Sequence, residues 1–459
     1  MHSAHRTFRK GLHAAPGIFL GLLFAAPLGA QSSPELQQIL TRLERLEQQN
    51  RELMQEVHSL REELATARPR PAQETAPPPS ETVPLDERVA VAERRIDEQA
   101  QSKVESSQRF PLRVTGIALF NTYLNSKQGG GAEYPTIASA PGAATGGATL
   151  RQTVLGLEYQ GPETFAGGRV KGSLYMDFFP AGTQALRIRT GDVELDWGSR
   201  SLLAGLEKPI FNPREPNSLA QVGISPLTGA GNLWLWIPQL RFEQDFSFGP
   251  RTGLRAQVGV VQTRESQSYQ AGNYVPELEA ARPGLEGRFE FFHRLDDDRR
   301  IEFAPGFHQS VSHVADSSVA SNLVSLDWFA NPWRKLEFTG ALYSGQNVAH
   351  LGTGAIRQGF VVFGDGNVRP VHGKGGWAQL TWLATRRLSF NLFAGRQDDR
   401  NRDLLQGWIG YNQAYGANFF YRLAPNVLMS LETSQVRTSY IGGNLLRNNH
   451  YDLALAYLF

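Results

Sequence analysis

From Arg109 to Phe459 apolar and polar residues alternate in short segments divided by turn-forming residues. Successive side chains of a strand point to opposite faces, so a period of two marks a sheet with two unlike surfaces. In Tyr451–Phe459 one face holds Tyr451, Leu453, Leu455, Tyr457 and Phe459; the other holds Asp452, Ala454 and Ala456, with Leu458 the one apolar exception. In 284–294, Leu285, Phe289 and Phe291 oppose Glu286, Arg288 and Glu290. In 233–246, Trp234, Trp236, Leu240 and Phe242 oppose Gln239, Arg241, Glu243 and Asp245. Apolar side chains outside a charged interior invert the arrangement of a soluble barrel, and predict one that stands in lipid around a wet lumen.

The segments predict strands near 110–124, 150–160, 168–179, 184–197, 201–209, 233–246, 252–265, 284–294, 300–310, 319–330, 334–345, 372–385, 388–397, 405–422, 426–437 and 448–459. Sixteen antiparallel strands in residues 109–459 leave about 22 residues per strand and connection, as short turns alternating with longer loops require. The long Gly/Pro-rich connections, 126–147, 211–231, 266–284 and 346–371, are all odd-numbered, while Gly198-Ser199-Arg200 and Arg386-Arg387 lie in even-numbered ones. Sorting of loop length by parity follows if odd connections face the cell exterior and even ones the periplasm. Trp197, Trp236, Trp328 and Trp382 fall near strand ends, where interfacial girdles are expected. The fold class read from the chain is therefore an all-β transmembrane barrel of 16 antiparallel strands, preceded by an α-helical coiled coil.

That coiled coil lies between an export signal and a spacer. Arg6, Arg9 and Lys10, the apolar run Gly17–Ala26 and Leu28-Gly29-Ala30 follow the order of a secretory signal peptide, assigned to 1–30. Within 31–66, Leu36, Leu43, Asn50, Val57 and Leu64 occupy heptad position a, and Ile39, Leu46, Leu53 and Leu60 position d. Arg42 opposite Glu47, and Glu56 opposite Arg61, would pair across a parallel interface. Asn50 at a with leucine at d suits two strands by coiled-coil rules. Six prolines between Pro69 and Pro84 make 67–84 an extended linker. Leu85, Val89, Ala92 and Ile96 give 85–108 a short helix, placed in the periplasm with the coiled coil.

Composition narrows the function classes. The net charge is +2 over 459 residues, which is no nucleic-acid footprint. Absence of cysteine excludes disulfides and thiolate metal sites. Mean hydropathy is −0.34, and past the N-terminus no apolar run reaches the roughly 18 residues of a membrane helix. A P-loop, G-x-S-x-G, H-E-x-x-H or EF-hand pattern is missing, and no Ser/His/acid set has supporting spacing, so neither an enzyme nor a bound cofactor or metal is expected.

The candidate chemistry is cationic. Parity places Arg113, Lys171, Arg187, Arg189, Arg241, Arg255 and Arg288 on lumen-facing positions. Arg187 and Arg189 lie on one face about 7 Å apart. Guanidinium groups in a narrow lumen attract carboxylates and phosphates and can bind them bidentately. The competing reading is a cross-strand ladder with Asp192, Glu194, Glu243, Asp245 or Glu290. In the 208–231 connection, Arg214 and Glu215 are the candidates for a constriction.

A signal peptide, heptad helix, Pro-rich spacer and sixteen strands resemble the DcaP-like porins of Gram-negative bacteria. Trp236-Ile237-Pro238-Gln239-Leu240-Arg241-Phe242 is similar to a Pro-Gln-hydrophobic-Arg-aromatic stretch of that family. The terminal strand, with Tyr457 and Phe459, resembles the closing strand and assembly signal of outer-membrane barrels. In general porins the third exterior loop folds inward to narrow the pore, which is the basis for choosing Arg214 and Glu215. The resemblance implies an outer-membrane homotrimer, joined through barrel and coiled coil, that passes small organic anions such as dicarboxylates. The phosphate-selective porins are the near alternative. A different class of function is a tether, in which the helices link the outer membrane to the cell wall.

Overall fold

The computed structural model describes residues 112–459, except 141, 180–185, 265–266, 268–282 and 315–316. The chain divides into two units, Met1–Ala90 and Val91–Phe459. The signal peptide, coiled coil, linker and short helix expected over 1–108 lie outside the described residues.

The wall is a closed antiparallel barrel of sixteen strands. It begins with β1 (Leu112–Asn125); the short β2 (Thr145–Thr149) and β3 (Val154–Glu163) pair with the upper and lower parts of β1 and share the next position. β4 (Arg169–Asp177), β5 (Arg187–Asp196), β6 (Arg200–Glu207), β7 (Ile237–Ser247) and β8 (Thr252–Gln262) follow, each paired with its predecessor. Then come β9 (Pro283–Arg294), β10 (Arg300–Val314), β11 (Ser317–Trp333) and β12 (Leu336–Gln346). β13 (Phe360–Val362) and β14 (Val368–Pro370) form a separate hairpin in the next loop. β15 (His372–Leu383), β16 (Leu388–Asp399), β17 (Ile409–Ala424), β18 (Val427–Tyr440) and β19 (Leu445–Leu458) complete the circuit. Every strand expected from the alternation overlaps one of these. Connections to strand ends opposite Leu112 include all four long loops, although β10 and β11 extend far enough to meet there in a tight hairpin.

The two faces divide as the alternation requires. On β19, Tyr451, Leu453, Leu455 and Tyr457 are about half exposed, whereas Asp452, Ala454 and Ala456 are buried. Leu240, Phe242, Leu285, Phe289 and Phe291 likewise stand outside. Trp333 and Trp382 are exposed near the short-turn end, Trp382 stacking on Phe390. Trp197, in the β5–β6 turn, packs on Phe165, and Trp328 lies half-buried on the outer wall. Trp236 departs from the girdle expectation. β7 starts one residue later, and the indole lies inside, 4.9 Å from the Arg187 guanidinium and 4.8 Å from that of Arg189. Alternation alone could not separate the end of a loop entering the barrel from the start of a strand.

At the seam, β1 bonds β2 and β3 along one edge and β19 along the other; Ile117 is in register with both Val154 and Leu458. Gly116 N–H donates to the Phe459 carbonyl at 3.0 Å, and Phe459 N–H to the Gly116 carbonyl at 3.2 Å. A Cβ on Gly116 would stand 2.3 Å from the Val154 carbonyl oxygen and 2.8 Å from the Phe459 ring. Gly116→Val should therefore open the seam. The expected result is a lower temperature at which the folded, fast-migrating gel band converts to the unfolded one; an unchanged transition would refute the close-approach argument.

Candidate functional site

The 208–236 connection enters the barrel and crosses to the far wall. Asn121 Nδ2 on β1 donates to the Leu219 carbonyl at 2.8 Å and to Asp452 on β19 at 3.0 Å. Gln152 accepts from Val222 and Gly223 N–H groups, at 2.8 and 2.7 Å, and donates to the Ala220 carbonyl. Ser218 bonds Glu432 on β18, Asn217 N–H bonds Gln379 on β15, and Asn412 on β17 donates to the Gly229 carbonyl. Apolar side chains follow the same route. Leu227 and Ala230 pack on Trp377, Phe393, Ala414 and Val436; Leu219 packs on Leu119, Ala454 and Ala456. Gly231, at φ 97°, passes so near the wall that a Cβ would lie 2.2 Å from the Gly376 carbonyl oxygen. Only a residue without a side chain fits there. The 347–371 loop adds Val348 and Leu351 to a cluster with Phe211, Leu233 and Leu323.

These loops cover the inward side chains of β15–β19, which are mostly buried. Inward charged groups that keep solvent exposure lie chiefly on β3–β10. The interior is thus one packed half beside one wet, charged half.

Arg214 and Glu215, the expected constriction pair, separate in the structure. Arg214 enters a carboxylate nest built by β9, β10 and β11: Nε donates to Asp327 at 2.6 Å, and Nη2 to Glu302 at 2.6 Å and Glu290 at 3.2 Å. Arg288 binds Asp327 and Glu290 from behind, at 2.7 and 2.6 Å, and Arg300 binds Glu302. Glu215 turns back to Lys208 at 2.6 Å. Burial raises the Glu215 carboxyl, but the Lys208 ammonium outweighs this and holds it below the ordinary glutamate value.

The lumen arginines follow the ladder reading almost throughout. Arg113 pairs with Glu158 at 2.7 Å and Lys171 with Asp196. Arg255 lies between Glu243 and Asp245, at 3.0 and 2.9 Å. Arg187 and Arg189 converge on the buried Asp177, with Nη2 at 2.6 Å and Nη1 at 2.9 Å; a register shift in β4–β5 lets both reach it. They also donate to the Gly223 and Val222 carbonyls of the inserted loop. Arg241 differs. Its cross-strand neighbours are Leu203 and Gly259, neither with a side-chain acceptor, and its Nε is buried without a hydrogen-bond partner. Sequence parity could have placed Asp177 and Asp327 on the inner face, but nothing in the spacing shows that a loop residue, Arg214, would complete the nest.

A Ser/His/acid arrangement does occur, contrary to the expectation from spacing. Glu286 Oε1 is 2.9 Å from His308 Nδ1, and His308 Nε2 is 2.8 Å from Ser310 Oγ. Ser310 and His308 are buried, His308 lying against Phe211, while the other Glu286 oxygen accepts from Ile210 N–H at 2.8 Å. The set is buried and ties the inserted loop to β9 and β10.

Neither a family model nor a curated protein sequence matches the chain. Among solved structures, the outer-membrane channel DcaP of Acinetobacter baumannii superposes with a TM-score of 0.63 at 16% identity, over 76% of this chain and 97% of that one. The chain has the fold of DcaP. An anion-selective porin from Comamonas acidovorans is also similar, with a TM-score of 0.49 at 11% identity, covering 76% of this chain and 99% of that chain.

Proposed function

We propose that the protein is an outer-membrane porin for passive diffusion of small hydrophilic solutes, with a preference for organic anions such as dicarboxylates. The observation that carries this is the divided interior: loops fill the β15–β19 side, and the β3–β10 side keeps an aqueous, charged stripe. A lumen of opposite charges screens most solutes alike, because each arginine beside a carboxylate presents little net field. Preference for anions then falls to Arg241, alone among the seven predicted lumen cations in having no carboxylate bonded to it. Its guanidinium is free to receive a solute carboxylate in the bidentate geometry. Under this reading residues 1–30 direct export, the 31–66 helices and the barrels join three copies, and 67–84 spaces the two parts.

Reversal potential across a salt gradient tests the reading in reconstituted channels. The expected result is mild anion preference that Arg241→Ala removes with little change in conductance. Cation preference in the native protein, or no conductance, would refute it. Measurements belong near 0.1 M salt, where screening acts over about 10 Å rather than about 3 Å at 1 M.

A further inference from the structure

The outer wall between β11 and β17 is not uniformly apolar. Near the loop end, Asn322, Ser344, Gln346, His372, Lys374 and Arg400 surround a depression of about 480 Å³. They come from four adjacent strands and their ends, in register: Asn322 with Gln346, Gln346 with His372, and Ser344 with Lys374. Two residues further along β12 and β15 the wall turns small and mostly apolar: Gly376, Ala378 and Ala394, flanked by Trp328 and Leu342 and, on the β17 side, by Tyr415, Gln413 and Arg396, surround a second depression of about 470 Å³. A step of two residues is about 7 Å, so the polar and apolar depressions form one groove running down the wall.

Charge selects the occupant. His372 is paired with Asp403, and Asp398, the register partner of Lys374, is taken by Arg396 at 2.6 Å. Lys374 and Arg400 are exposed, and neither makes a side-chain hydrogen bond or ion pair among the described residues. Lys374 lies eight residues above Trp382, about 20 Å along the membrane normal for a tilt near 40°. That is close to the top of an apolar band about 25 Å tall, the level of lipid head groups. Among the described residues between the two rims, Asp398 is the one carboxylate on an outer strand face, so a second copy's wall has none free to meet these cations.

We propose that this groove binds an acyl lipid with a phosphate head group, from the leaflet on the loop side of the membrane. Lys374 and Arg400 hold the phosphate, Asn322, Ser344 and Gln346 hydrogen-bond the head group, and an acyl chain lies over Gly376, Ala378 and Ala394. The inference rests on the barrel spanning a membrane.

Native mass spectrometry of the full protein, with palmitoyl-oleoyl phosphatidylglycerol or phosphatidylcholine added, tests it. Retention of phosphatidylglycerol should exceed that of phosphatidylcholine by about tenfold, because the anionic lipid makes charge-assisted bonds without its own ammonium competing. Lys374→Gln with Arg400→Gln should abolish that preference, and Ala394→Phe should reduce retention of both lipids. Excess inorganic phosphate should not displace the lipid, since it lacks the chain that fills the lower groove. Equal retention of the two lipids, or displacement by phosphate alone, would overturn the proposal. So would conversion of oligomers to single chains by Ala394→Phe with lipid retention unaltered, which would make the groove a contact between copies. Conductance of the same preparations reads the channel separately: its absence counts against the porin, and loss of lipid preference with conductance intact counts against the lipid site.

Discussion

Asp177→Asn is expected to turn a mildly selective channel into a strongly anion-preferring one. Asp177 is fully buried and holds two guanidinium groups, Arg187 bidentately at 3.0 and 2.6 Å and Arg189 at 2.9 Å. Loss of its charge leaves two cations held by the Val222 and Gly223 carbonyls and the Trp236 and Phe179 rings. Carbonyls and an indole orient a guanidinium but do not neutralise it. Removal of one member of a buried ion pair costs about 3–5 kcal/mol. The low end applies here, because Arg187 is about a quarter exposed and an asparagine can still accept one hydrogen bond. The variant should fold, unfold at a lower temperature, and shift the reversal potential toward the anion limit. Folded Asp177→Asn channels with native selectivity would show that Arg187 and Arg189 lie off the conducting path. Arg187→Ala with Arg189→Ala supplies the converse, a shift toward cations from the uncompensated Asp177.

The second large effect belongs to Arg214→Ala. This arginine joins the inserted loop to Asp327, Glu290 and Glu302, three carboxylates on three strands. Without it Arg288, Arg255 and Arg300 remain to balance the nest, and the loop loses its main tie to the β9–β11 wall. Higher single-channel conductance, noisier open current and a shift toward cation preference should appear together. A stability loss below the roughly 3–5 kcal/mol of an uncompensated buried charge is expected, since the fully buried Asp327 keeps Arg288 as a partner. If conductance and selectivity stay native in the folded variant, the nest fastens the loop without shaping the passage. Glu215→Gln offers a contrast, because its partners Lys208 and Ser225 both lie within the same loop, so conductance should stay near native.

These two sites also measure what sequence patterning can resolve. Arg187, Arg189, Arg241, Arg255 and Arg288 fall on the inner face by counting alternate residues, and the structure places them there. Their charge states as seen by a solute were not legible. Asp177 sits ten residues before Arg187, across a connection, and its pairing with both arginines depends on a one-residue register shift between β4 and β5. Arg214 meets Asp327 over a separation of 113 residues. The Glu286–His308–Ser310 set was missed for the same reason: Glu286 reaches His308 through strand pairing, not through spacing along the chain.

Alternation and turn chemistry along the chain were enough to place the strands, their inner and outer faces, and the end of the barrel that carries the long loops. Each follows from interactions local to one strand: a side-chain period of two, and turns built from Gly, Pro, Asn and Asp. The tertiary structure decided which half of the lumen is packed, which arginines are neutralised, and that Trp236 faces two guanidiniums rather than lipid. Those outcomes depend on where the 208–236 and 347–371 loops lie against the wall, and loop placement is fixed by hydrogen bonds and packing between residues distant in the chain, which a one-dimensional pattern does not encode.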